Sequence, residues 1–113
     1  MDWLEFQIML AIRLSLQVYH EPNYILWAHK WLDGSDRSRE AALIAANSAY
    51  ITSDAAYAGV KTNAVYAAAY AAFAAANVAP EWSTIEDVVS SVVFSIKHSI
   101  ELGATFDAIL KFL

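Results

Sequence analysis

Residues 41–79 read AALIAANSAYITSDAAYAGVKTNAVYAAAYAAFAAANVA, with 18 alanines in 39 positions and Tyr50, Tyr57, Tyr66, Tyr70 and Phe73 set among them. Alanine is the strongest helix former and adds almost no bulk, so this stretch describes helices able to approach one another closely. Ala41, Ala45 and Ala49 fall on one line, with Ala42 and Ala46 beside them; Ala64, Ala68, Ala72 and Ala67, Ala71, Ala75 repeat the pattern. Such four-residue rows make smooth ridges that let helix axes close up, while Tyr66, Tyr70, Phe73 and Asn77 line the other side and fill wider gaps. Ser53 and Asp54 offer a fresh N-cap and Gly59 to Asn63 a second weak point, which leaves open one bent helix or two.

Thr62 to Pro80 runs 19 residues without a charge, a length that in principle spans a bilayer. Its interior is mostly alanine with Asn63 and Asn77 at its ends, so its drive into hydrocarbon is weak. The expectation is a central helix buried on most sides, and no membrane.

Outward from this tract the periodicity stays helical. Asp2 can cap a first helix reaching Tyr19, with Leu4, Ile8, Ala11, Ile12, Leu14 and Val18 on its apolar face and Phe6, Met9 and Leu16 spilling past it. Pro22 opens a second helix carrying Tyr24, Trp27, Ala28 and Trp31, and Gly34 ends it; a third begins between Ser35 and Ser38. After Pro80, Ser83 and Glu86 form a predicted capping box for a helix whose Ile85, Val88, Val89, Val92, Val93, Ile96 and Ile100 keep helical period. Gly103 ends that helix, and Thr105 caps a short last one that docks Phe106, Ile109, Leu110 and Leu113. The fold class is all-α: one domain over residues 1–113, a compact bundle or stacked antiparallel hairpins of five to seven helices.

Composition narrows the function classes. A net charge of -5 with seven scattered Lys and Arg argues against a phosphate backbone as partner and suits a basic protein partner or plain solubility. The absence of cysteine removes disulfides, thiolate zinc sites and thiol catalysis, and acids near Met1 replace the bases of a signal peptide, so the cytoplasm is the expected location. His20, His29 and His98 lack the i, i+4 pairing of a metal site. Glu81, Glu86 and Asp87 sit where a helix start favours acids, and Ser91, Ser95 and His98 lie side by side on one helix with no third group to orient them. Three isolated glycines make no phosphate loop. No cofactor, no metal and no catalytic residue is expected.

Two features remain as recognition surfaces. The stripe of Tyr66, Tyr70 and Phe73 reads first as core, and second as a set of interface anchors. Phe94 stands opposite the Ile and Val stripe of its helix, among Asp87, Ser91, His98 and Glu101, an aromatic ringed by acidic and polar groups.

The runs WLDGSDRSREAALIAANSAY, from Trp31 to Tyr50, and VYAAAYAAFAAANVA, from Val65 to Ala79, resemble the alanine-rich, all-helical immunity proteins of bacterial polymorphic toxin systems. The resemblance implies an inhibitor that binds a cognate effector protein stoichiometrically and carries no catalytic residues. A phage-encoded inhibitor of a bacterial defence complex, of anti-CRISPR type, fits small size and negative charge as well. A homo-oligomeric assembly domain built from the aromatic and apolar surfaces is the alternative of a different class.

Overall fold

The helix boundaries follow from local chemistry in the computed structural model, which describes the backbone of residues 2–55, 60–78 and 84–112, and the side chains of these except 50–55 and 60–62. Asp2 caps α1 (Trp3–Leu16), its carboxylate accepting a 2.7 Å hydrogen bond from the Glu5 N–H. Proline opens α2 (Pro22–Asp33), where its missing N–H is no loss, and the Glu21 carboxylate accepts from the Tyr24 N–H at 2.9 Å. Gly34 ends α2 at φ +83°, a backbone conformation that a β-carbon disfavours. In the turn that follows, Asp33 accepts from the Ser35 N–H and Asp36 from the Ser38 N–H. Bonds from these two serines hold both carboxyls below the usual carboxylate range. The Ser38 hydroxyl then accepts from the Ala41 N–H as α3 (Arg39–Ala55) begins.

The alanine tract forms two helices, α3 and α4 (Val60–Asn77). Four residues separate them and they pack along one another, which makes an antiparallel hairpin. The weak point expected at Gly59 to Asn63 lies largely inside α4, because Lys61, Thr62 and Asn63 are helical; Gly59 itself lies outside the described residues. So do Tyr57, Pro80, Glu81, Ser83 and Leu113, while of Tyr50, Ser53 and Asp54 only the backbone is described. The capping box of α5 (Ile85–Glu101) falls one residue later than the sequence predicts. Thr84 Oγ1 accepts from the Asp87 N–H and the Asp87 carboxylate accepts from the Thr84 N–H, both at 3.2 Å. Gly103, at φ +97°, turns the chain into a short 3-10 helix, Asp107–Phe112.

α4 occupies the centre, packed against α3, α5 and α1. Ala64, Val65, Ala67, Ala68, Ala69, Ala71, Ala72, Ala74, Ala75 and Ala76 are all buried, so the helix is covered on nearly every side, as expected of an apolar helix without a polar stripe. Met9 is buried, and Phe6 and Leu16 pack against the core, so the apolar overflow of α1 is absorbed within the bundle. Tyr24, Trp27, Ala28 and Trp31 seat α2. The Ser15 hydroxyl donates to Ile12 O at 2.7 Å, so its single proton is used and the Tyr24 hydroxyl must donate to Ser15 Oγ at 2.6 Å. Burial pushes the Tyr24 phenol far above its ordinary pKa, which keeps that donor protonated. The radius of gyration is 12.8 Å, close to the roughly 13 Å of a single compact domain of this length.

The ends of the chain depart from expectation in two places. In the 3-10 helix only Ile109 is buried; three residues per turn set Leu110 a third of a turn away from it, and Phe106, just before the helix, is exposed as well. More consequentially, α5 is rotated about its axis. Val88, Val92, Ser95 and Ser99 face inward, whereas Ile85, Val93 and Ile100, expected in the core, are 67%, 56% and 44% exposed. The physical reason is the alanine ridge of α4: the smaller set, Val88, Val92, Ser95 and Ser99, fits against it, and the larger Ile85 and Ile100 are left outside with Val93.

The two buried serines make a paired prediction. Ser95 Oγ donates to Ala67 O at 2.6 Å, across the α4–α5 contact, while Ser99 Oγ is fully buried with no hydrogen-bond partner among the described residues. Ser95→Ala should therefore destabilise by about 1 kcal/mol, and Ser99→Ala, which removes an unsatisfied hydroxyl, should be neutral or stabilising. Urea unfolding of the two variants checks the sign; equal losses would show that Ser99 has a partner in solution.

Candidate functional site

Because α4 and α5 lie side by side, residues four apart on each helix meet across the seam. Tyr66 and Tyr70 come from α4, Phe94 and His98 from α5, and together they form a quartet of rings. Tyr70 stacks on Phe94 with centroids 5.3 Å apart and planes at 28°, and on His98 at 6.4 Å and 11°. Tyr66 lies 5.7 Å from His98 and 6.4 Å from Tyr70. These offset and tilted arrangements suit aromatic quadrupoles. The two surfaces singled out in the sequence are thus one surface. Tyr66 and Tyr70 are half-buried; Phe94 is 47% exposed and forms the crest. Phe73, on the same row of α4, is partly buried and packs against the core.

Acids stand at both ends of this crest. Asp87, Phe94 and Glu101 are spaced seven residues apart and share one face of α5, each step covering roughly 10 Å of helix. Asp87 is exposed while its carboxylate closes the capping box, so its charge is fixed in place. Glu101 Oε2 lies 3.8 Å from His98 Nδ1, an ion-pair distance too long for a hydrogen bond. The result is an acid, aromatic, acid row about 20 Å long, backed by Tyr66, Tyr70 and His98.

His98 was legible only as a neighbour of Phe94. The signal that marks it is the matching i, i+4 spacing on the two helices, which becomes meaningful once they are known to be adjacent. Ser95 and Ser91 do not complete a site with it: the Ser95 proton is committed to Ala67 O, on the buried face. No group of three metal-ligating side chains occurs among the described residues. Nor, among them, is any helix long and apolar enough to cross a membrane.

A concave feature not foreseen in the sequence lies where α2 and α3 diverge. Tyr24, Trp27, Leu26, Lys30, Ile44 and Ala45 line a cleft of about 210 Å³, whose rims are the exposed Leu26 and Ile44. Trp27 Nε1 is buried, with no acceptor among the described residues. The volume falls below the roughly 300 Å³ at which pockets begin to enclose drug-sized ligands, and wider clefts of about 380 and 430 Å³ open on either side of Arg13 and Phe112. Compared with protein-family models, with curated proteins and with solved structures, the chain matches none.

Proposed function

We propose that the protein is a small acidic inhibitor of immunity type, which acts by binding one basic effector protein stoichiometrically through the face of Phe94, Asp87 and Glu101, backed by Tyr66 and Tyr70. The observation that carries this reading is the ring quartet itself. An aromatic crest that is half-exposed and flanked by two carboxylates has the composition of an interface hot spot, in which the ring supplies desolvated contact area and the charges set orientation and association rate. The net charge of -5 supports a basic partner, and the alanine-rich likeness to immunity proteins supports the inhibitory role. The phage-encoded inhibitor of a defence complex is the same kind of binding with a different target.

Phe94→Ala tests it. The side chain is superficial, so the helix content and unfolding midpoint should be nearly unchanged, whereas loss of a central anchor worth about 2 kcal/mol weakens binding about 30-fold. Immobilised wild-type chain should retain a basic protein at one-to-one ratio from its native host, titration calorimetry of the purified pair should show the loss for Phe94→Ala, and added salt should slow association. Equal affinity of the two forms, or a partner bound equally well by a variant with Asp87→Asn and Glu101→Gln, would remove this face from the mechanism.

A further inference from the structure

The apolar residues that α5 turns outward form a row that reads almost the same from either end. Ile85, Val89, Val93, Ile96 and Ile100 follow one another at steps of 4, 4, 3 and 4. Ile85, Val93 and Ile100 are exposed, and Val89 and Ile96 are half-buried. Laid against a second α5 running in the opposite direction, Ile85 meets Ile100, Val89 meets Ile96, and Val93 falls on its own counterpart. The last four residues keep the 4-3-4 spacing of a helix-pairing seam, with β-branched side chains at every position.

The charges beside the row obey the same symmetry. Glu86 and Lys97 flank one edge of it, and neither has an ion-pair partner among the described residues. In the antiparallel pairing, Glu86 of one copy comes within two to three residues, about 3–5 Å along the axis, of Lys97 of the other, and the pair forms twice. A parallel pairing would instead set Lys97 against Lys97 and Glu86 against Glu86. The pattern therefore favours one orientation and disfavours the other.

We infer that α5 is the contact of a two-fold symmetric homodimer, packed antiparallel through Ile85, Val89, Val93, Ile96 and Ile100, with Val93 at the axis and two Glu86–Lys97 ion pairs at its edge. Such an isologous contact closes on itself and leaves no surface for further growth. Phe94 lies about 100° around the helix from Val93, so the ring quartet stays accessible and the dimer presents it twice.

Light scattering coupled to gel filtration should give twice the 12.5 kDa chain mass. The chain contains no cysteine, so single introduced thiols report the geometry without background. Val93→Cys should cross-link to its counterpart under mild oxidation, because the two β-carbons meet at the axis. Ile85→Cys should not, since its counterpart is roughly 22 Å away, beyond the roughly 7 Å that a disulfide tolerates. The double variant Ile85→Cys with Ile100→Cys should cross-link. Val93→Lys, an exposed position in the single chain, should keep native helix content and raise the dimer dissociation constant about 100-fold, by placing like charges at the axis. Glu86→Lys should weaken the dimer and Glu86→Lys with Lys97→Glu should restore it. A monomer at the highest soluble concentration, cross-linking of Ile85→Cys as fast as of Val93→Cys, or a dimer indifferent to Val93→Lys would each overturn the inference. Phe94→Ala should leave the dimer intact, and Val93→Lys should leave the effector contact intact, so the two readings fail separately.

Discussion

Replacing Ala68 or Ala72 with leucine should destabilise the protein by about 3 kcal/mol, the upper part of the range for overpacking. Both residues are fully buried, and the helix that carries them is enclosed by α1, α3 and α5, so three added carbon atoms have no open side into which to move. Relief requires the axes to separate, and separation breaks the Ser95–Ala67 hydrogen bond as well. In a domain whose total stability is about 5–15 kcal/mol, such a loss lowers the melting temperature by roughly 10–20 °C. Thermal circular dichroism measures it directly. Melting unchanged in both variants would mean that α4 is not the enclosed helix.

The second large effect is expected at Trp31, where truncation to alanine should cost about 3–5 kcal/mol. The indole is 5% exposed, and it is a junction and not merely a filler. The Arg37 guanidinium lies over its ring, 4.2 Å from the centroid, Arg37 Nε donates to Trp31 O at 2.8 Å, and the same arginine pairs with Glu5 of α1. Trp31→Ala should therefore loosen the α2–α3 turn together with the α1 contact, whereas Trp31→Phe, which keeps a ring under the guanidinium, should recover more than half of the loss. Urea denaturation of the pair provides the comparison, and equal losses would show that the ring is dispensable.

The sequence made some features legible and hid others for identifiable reasons. Pro22, Gly34, Asp2 and Gly103 announce their helix ends because the chemistry is local: a missing N–H, a left-handed backbone, an N-cap carboxylate. Helical spacing sets Tyr24, Trp27 and Trp31 on one face of α2, and that face is the buried one. The orientation of α5 does not follow from spacing. Its strongest apolar row points outward and its serines point inward, a choice made by the alanine ridge of a helix some 28 residues away in the chain. Periodicity identifies which residues share a face, but the neighbour decides which face is buried. The ring quartet was hidden by the same non-local fact, since Tyr70 and Phe94 become one surface only when α4 and α5 are adjacent.

The clasp between Gln17 and Thr105 bears on how the chain reaches this state. Gln17 Nε2 donates to Thr105 O at 2.9 Å and the Thr105 N–H donates to Gln17 Oε1 at 3.0 Å, joining positions 88 residues apart. The packing of α1 is likewise directed to α4 and α5 far more than to α2, its neighbour in the chain. During synthesis at about 5–20 residues per second, α1 leaves the ribosome several seconds before the segments that will cover Ile8, Ile12 and Leu14. The α3–α4 hairpin, built from near neighbours, can form in that interval, while α1, even with α4 packed on it, stays partly uncovered until α5 and Thr105 arrive. Completion of the core is thus a late, long-range event, and the waiting helix is the segment that a nascent-chain chaperone has most reason to hold.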